Sequence, residues 1–147
     1  MSRNIVFVSY SHKDKGWKHQ ITEHLQVLEK QNLLKIWCDR DIGAGQEWHN
    51  EIDRNLQSAK LAVLLISKSF LTSDFVLKDE VPQLLDQHRR KGMRLIPILI
   101  NDCVWQEVTW LKGLQIRPEK PIAEFSKDRR ERELANIVRE ILEYLKS

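Results

Sequence analysis

One carboxylate in this 147-residue chain stands where a reacting group would be useful. Leu77, Val81, Leu84 and Leu85 recur at i, i+4, i+7 and i+8, the spacing of a single apolar helical stripe. At about 100° per residue, Glu80 lies beside that stripe rather than opposite it, which predicts a carboxylate at the edge of the core. Pro82 has no backbone donor and is tolerated only in the first turn of a helix. The regular helix is therefore expected to begin near Asp79, with Glu80 in its first turn. Such a carboxylate either favours the positive end of the helix dipole or projects into a ligand crevice.

Other candidate groups do not assemble into a recognisable site. Gly43-x-Gly45 lacks the third glycine of a dinucleotide fingerprint, since Trp48 stands there, and it does not follow the first strand. Asp39-x-Asp41-x-Gly43 fails as a calcium loop because Ala44 occupies the sixth position, where glycine is required. The segment reads as a flexible loop whose glycines permit positive φ, and at the rim of a crevice that freedom is itself useful. The histidines, His12, His19, His24, His49 and His88, are scattered, and His19 and His24 share no helical face. Cys38 and Cys103 have no metal-type spacing and read as free thiols suited to a reducing cytosol. No metal and no cofactor are expected. The run His88-Arg89-Arg90-Lys91 suits a helix C-terminus, and without interleaved aromatics it does not point to nucleic acid. Trp17, Trp37, Trp105 and Trp110 are expected in packing, whereas Trp48, directly after the glycines, either closes over a crevice or anchors the helix it begins.

The elements that must position these groups follow from the hydrophobic pattern. Asn4 to Tyr10 is a β-branched and aromatic first strand. Asp14 can cap the next helix, whose apolar face is Trp17, Ile21, Leu25 and Leu28, with Asn32 as its stop. Leu34 to Trp37 is a second strand, Asp39 to Glu47 a loop, and Trp48, Ile52 and Leu56 a short helix with Ala59 near its end. Leu61 to Ile66 carries no charge and reads as a third strand buried on both faces. Leu95 to Ile100 is a fourth, and its Pro97 argues for a place near an edge. Trp105, Trp110 and Leu111 anchor an irregular segment, Pro121 to Ala123 is a minimal fifth strand, and a last helix runs from Arg129 to Leu145.

Strands alternating with helices imply a parallel sheet with right-handed crossovers. The expected architecture is a flavodoxin-like three-layer α/β sandwich with a five-stranded parallel sheet of order 2-1-3-4-5, forming one domain over residues 1–147. Its switch point lies between strands one and three. Ser9 to His12 ends the first and Ser67 to Ser69 the third, so both flank the crevice where Glu80 should project. There is no signal peptide and no apolar run long enough to span a bilayer, so a cytoplasmic protein without a membrane partner is expected.

Taken in order, several motifs resemble a TIR domain of the bacterial type. They are Val6-Phe7-Val8-Ser9-Tyr10-Ser11, Trp37-x-Asp39-x-Asp41-Ile42-x-x-Gly45-x-x-Trp48, Ser67-x-x-Phe70-Leu71-x-Ser73-x-Phe75 and Glu80-Val81-Pro82. Cys103-x-Trp105, Leu114-Gln115 and Lys120-Pro121-Ile122 are similar to the C-terminal part of that family. The resemblance implies a role in innate immunity or anti-phage defence, as an NAD+-cleaving enzyme, an assembly module, or both. It also implies that Glu80 is the catalytic glutamate and that Tyr10 and Ser11 line the nucleotide pocket. Asp39 to Trp48, with Gly45 between them, would form the loop that gates the pocket and mediates self-association through TIR–TIR contacts. Phe75 stands where many enzymatic members carry a larger aromatic, and Ser11 where many carry a basic residue.

One carboxylate is chemically enough for NAD+. Ordinary glycosidases need two, because a poor leaving group must be protonated. The nicotinamide of NAD+ is already a cation and leaves neutral, so only the oxocarbenium-like ribose needs stabilisation. The resemblance therefore implies NAD+ as substrate, which a single carboxylate suits, with a TIR assembly module without turnover as the alternative.

Overall fold

The computed structural model describes residues 4–38, 56–74 and 76–146. Among them four strands form one parallel sheet: β1 (Asn4–Ser9), β2 (Leu34–Cys38), β3 (Ala59–Ile66) and β4 (Arg94–Leu99), in the order β2-β1-β3-β4. The order is the expected one without its fifth strand. Four longer helices accompany the sheet among the described residues: α1 (Lys15–Lys30), α2 (Lys68–Thr72), α3 (Val81–Lys91) and α4 (Lys127–Lys146).

Strand pleating divides the core in two. Val6, Val8, Leu61, Val63, Leu65, Ile96 and Ile98 face one side, where Ile21 and Leu25 of α1 and Leu134, Ile137 and Ile141 of α4 pack on them. Phe7, Ala62, Leu64, Ile66, Leu95 and Leu99 face the other, against Phe70 of α2 and Val81 and Leu84 of α3. Successive side chains of a strand point to opposite faces, so a sheet covered on both sides needs unbroken apolar strands. This is why β3 contains the uncharged run Leu61 to Ile66, each residue at most 1% exposed. The crossover after β1 lies on one face and the crossover after β3 on the other, which is what opens a crevice between those strands.

Both edges of the sheet are managed. At β2 the amide of Ile36 donates to the Glu29 carboxylate of α1 at 2.8 Å, and Trp37 stacks on Phe7 of β1 with centroids 4.9 Å apart. At β4 the Pro97 carbonyl accepts from Arg117 at 3.2 Å, so the donor that Pro97 lacks lies on the outer side, away from β3. Pro97 sits at an edge, as its type requires.

The expected strand from Pro121 to Ala123 is instead a single turn of 3-10 helix, Ile122–Glu124. Arg117 fills the fifth-strand position by one residue, donating to Pro97 and accepting from Leu99 at 2.9 Å. Its side chain pairs with Glu140 of α4 at 2.6 Å. Pro118 and Pro121 follow closely, and neither can donate to a ladder, so the pairing cannot extend. Ala123 still reaches the carbonyl of Ile100 at 3.0 Å, as a turn rather than a strand.

At the C-terminus of α1, Leu33 donates to Leu28 and Asn32 to Glu29, both at 3.0 Å, with Asn32 at φ 59°. This pair of bonds around a left-handed residue is the Schellman stop expected of Asn32. The short helix expected from Trp48 lies outside the described residues except for helical residues 56–58, and Ala59 already belongs to β3. Trp105 and Trp110 pack partly buried against the second core, with Leu111 fully inside it.

Candidate functional site

The C-terminal ends of β1 and β3 carry a cluster of buried polar side chains: Ser9, Ser11, Asp14, Ser67 and Glu80, each at most 6% exposed. Buried polar groups require partners. Here serines meet carboxylates across long sequence separations. Ser9 donates to Glu80 Oε1 at 2.5 Å, and Ser67 donates to Asp14 Oδ2.

Glu80 was expected at the edge of the core, in the first turn of a regular helix. It is 0% exposed, and the segment before α3 is a single π-helical turn, Val76–Glu80. A π turn spaces its hydrogen bonds one residue wider than an α turn. The inward face consequently runs through Val76 and Glu80, and Leu77 is only half-buried. Pro82 sits at the start of α3, where its missing donor costs nothing. Glu80 occupies the N-cap position of α3 but makes no side-chain cap hydrogen bond. Its carboxylate turns to Ser9 instead, so a simple capping role does not describe it.

Asp14 shows the same behaviour. It holds the N-cap position of α1, as the sequence suggested, yet it makes no cap hydrogen bond. That expectation fails because the carboxylate accepts from Ser67, at the end of the neighbouring strand. The local cap is supplied one turn earlier by Ser11, whose hydroxyl accepts from Lys13 at 3.3 Å and starts the turn His12–Asp14.

Of the residues expected to bind substrate, Tyr10 and Ser11 follow β1 directly. Tyr10 is 2% exposed and belongs to the core on the α1 face, with the Lys18 ammonium 5.4 Å from its ring centroid. It therefore lies on the opposite face of the sheet from the neighbours of Glu80, Val76 and Val81. Asp39, Gly45, Trp48 and Phe75 lie outside the described residues. Among the described residues no group of three or more His, Cys, Asp or Glu is arranged to hold a metal ion. No helix among them is long and apolar enough to cross a membrane.

Sequence reasoning did not single out Ser9, Asp14 and Ser67 as partners. A usable signal was present in the pleat. Phe7 and Ser9 share a face, as do Leu65 and Ser67, and the face of each strand identifies the helix its terminal serine meets.

The arrangement buries two carboxylates, each bonded to a strand-end serine, at the switch point of an open parallel sheet, where such folds bind ligands. Known proteins share this architecture. The chain is 33% identical over 121 residues to the uncharacterized protein y4lF of Sinorhizobium fredii (strain NBRC 101917 / NGR234), a match covering 82% of this chain and 38% of that protein. It thus spans well under half the length of this relative. It superposes on the crystal structure of the RPS4 and RRS1 TIR domain heterodimer with a TM-score of 0.67 and 15% identity, covering 99% of this chain and 100% of that one. For the TIR domain of the Toll-related receptor TRR-2 of Hydra magnipapillata the TM-score is 0.61 at 21% identity, covering 92% and 96%. At those identities the structural likeness speaks for the fold. The family itself is decided by residues 6–141, which match the model of the TIR domain, and the chain belongs to that family.

Proposed function

We propose that this chain is an NAD+ glycohydrolase of innate immune or anti-phage defence, with Glu80 as its catalytic carboxylate and self-assembly as its activator. The TIR family includes NAD+-cleaving enzymes as well as signalling and scaffold modules. The observation that carries the enzymatic reading is the placement of Glu80. It is a fully buried carboxylate at the switch point, held by a strand-end serine and presented by a π turn, a feature frequent at functional sites.

In the reaction, the bond between ribose C1′ and the pyridinium nitrogen breaks, and its electron pair neutralises the departing nicotinamide. The Glu80 carboxylate stabilises the positive charge that develops on the ribose. Water attacks C1′ and loses its proton to solvent, giving ADP-ribose; internal capture by the adenine gives a cyclic product instead.

Glu80 has no exposed surface, so substrate meets it only after the surrounding chain opens. This enclosure is our reason for coupling turnover to assembly. The Asp39–Trp48 loop is the segment we assign to self-association, and one of the related TIR structures is itself a heterodimer. The same enclosure favours a second reading, an assembly module in which Glu80 serves only as a brace on Ser9.

Nicotinamide release from NAD+, followed by chromatography at high protein concentration with a crowding agent, separates the two readings. Glu80→Gln keeps the size and polarity of the side chain but removes its charge. Turnover is expected to fall by about 10²–10³-fold with little change in NAD+ binding, the pattern of an interaction made in the transition state. Asp79→Asn retains turnover, with circular dichroism confirming that both variants fold. Equal turnover by wild type and Glu80→Gln refutes the assignment. An inert wild type, visibly assembled, establishes the scaffold.

A further inference from the structure

The two serine–carboxylate bonds at the switch point form a reciprocal brace. On β1, Ser9 shares the face of Phe7 and reaches across to Glu80 at the head of α3. Past β3, Ser67 keeps the side of Val63 and Leu65 and reaches back to Asp14 at the head of α1. Each strand end therefore holds a helix that belongs to the other strand's crossover. Both carboxylates stand at N-cap positions and forgo the cap to do so.

We infer that Asp14 is a positioning residue for Glu80, acting through Ser67; this rests on the reading of Glu80 as the catalytic carboxylate. A serine hydroxyl has one proton, and a carboxylate can only accept. Donation to Asp14 therefore commits the Ser67 proton and leaves the oxygen's lone pairs for the amide of Phe70, which donates to it at 3.1 Å and starts α2. From there the bonds run without a gap. Ser73 donates its amide to Phe70 at 3.4 Å, Val76 donates to the Ser73 hydroxyl at 3.3 Å, and Leu77 donates to the Ser73 carbonyl at 3.0 Å. Val76 opens the π turn that ends at Glu80. Asp14 thus sets the orientation of Ser67, Ser67 sets the start of α2, and α2 sets the turn that carries Glu80. The N-cap alternative gives Asp14 no such reach, and its missing cap bond argues against it.

The test compares Asp14→Ala, which removes the acceptor, with Asp14→Asn, which keeps one for Ser67. Ser67→Thr, which keeps the hydroxyl, serves as a second conservative variant. Two readouts are taken on each: kcat and KM for NAD+, and amide hydrogen exchange over residues 68–81. Asp14→Ala is expected to lower kcat by about 10–100-fold with KM within about 2-fold, the signature of a misplaced group rather than lost binding. It also speeds exchange at Phe70, Val76 and Leu77. Asp14→Asn and Ser67→Thr restore both readouts to within about 3-fold of wild type. Unchanged exchange in Asp14→Ala overturns the brace whether or not the wild type cleaves NAD+. Faster exchange with unchanged kcat overturns the positioning role. An inert wild type removes the catalytic reading and the positioning role with it, while exchange still decides whether the brace exists.

Discussion

The buried bond between Ser9 and Glu80 should be costly to break. Both residues are 0% exposed, so neither group has water as a substitute. A hydrogen bond to a charged group contributes about 1.5–3 kcal/mol, and removing one partner leaves the other with its full desolvation penalty. Ser9→Ala is therefore expected to destabilise by about 2–3 kcal/mol. At about 2–4 °C per kcal/mol for a chain of this size, Tm falls by about 4–12 °C. Glu80→Met, which strands the serine hydroxyl, costs about 1–3 kcal/mol. The double variant replaces both polar partners with apolar groups and should be less destabilised than the sum of the two single variants implies, with a coupling of about 2–3 kcal/mol. Urea unfolding monitored by far-UV circular dichroism measures all four corners of the cycle, provided the slope with denaturant stays constant. Single-variant costs that add to the double-variant cost within about 0.5 kcal/mol would show that the bond contributes nothing of its own, and the site as described would be wrong.

Three further outcomes are expected. Asn32 sits at φ 59°, so Asn32→Ala should destabilise by about 1 kcal/mol while Asn32→Gly stays neutral, measured by the same unfolding assay. Burial pushes the Cys103 thiol above its ordinary range, with the Asp102 charge adding to the rise and the Trp105 backbone opposing it. Its folded state therefore holds a proton that the unfolded state has lost, so this thiol's contribution to stability is full below the unfolded pKa and fades as pH rises through the folded one; Cys103→Ser should flatten that alkaline decline, and a profile unchanged by the substitution counts against it. Gly45→Ile, which removes the conformational freedom that glycine has, should abolish concentration-dependent light scattering; scattering equal to wild type removes residues 39–48 from the proposed assembly contact.

Much of the fold was legible because it rests on local pattern. An uncharged run of six residues in β3 can be satisfied only by burial on both faces, and strand–helix alternation then leaves a parallel sheet as the consistent arrangement. Pro97 announced an edge and Asn32 a helix stop, since each follows from what one residue's backbone can do. The fifth strand was misjudged because Ile122 and Ala123 look like strand residues, while pairing also requires a neighbour at the right height. Among the described residues only Arg117 reaches β4 in that position.

The site divides along the same line. The residue types and their place after β1 and β3 are sequence properties, and they pointed to Glu80 near the switch point. Three things waited for the tertiary structure: the full burial of Glu80, the π turn that rotates it inward, and the exchange of partners that sends Asp14 to Ser67 and Glu80 to Ser9. A hydrogen bond between residues 71 positions apart leaves no periodicity in a sequence. A carboxylate at a helix head reads as a cap until a donor from another strand competes for it. Here the competing donors win because they are buried with the carboxylates, where an unpaired carboxylate would cost far more than an unmade cap.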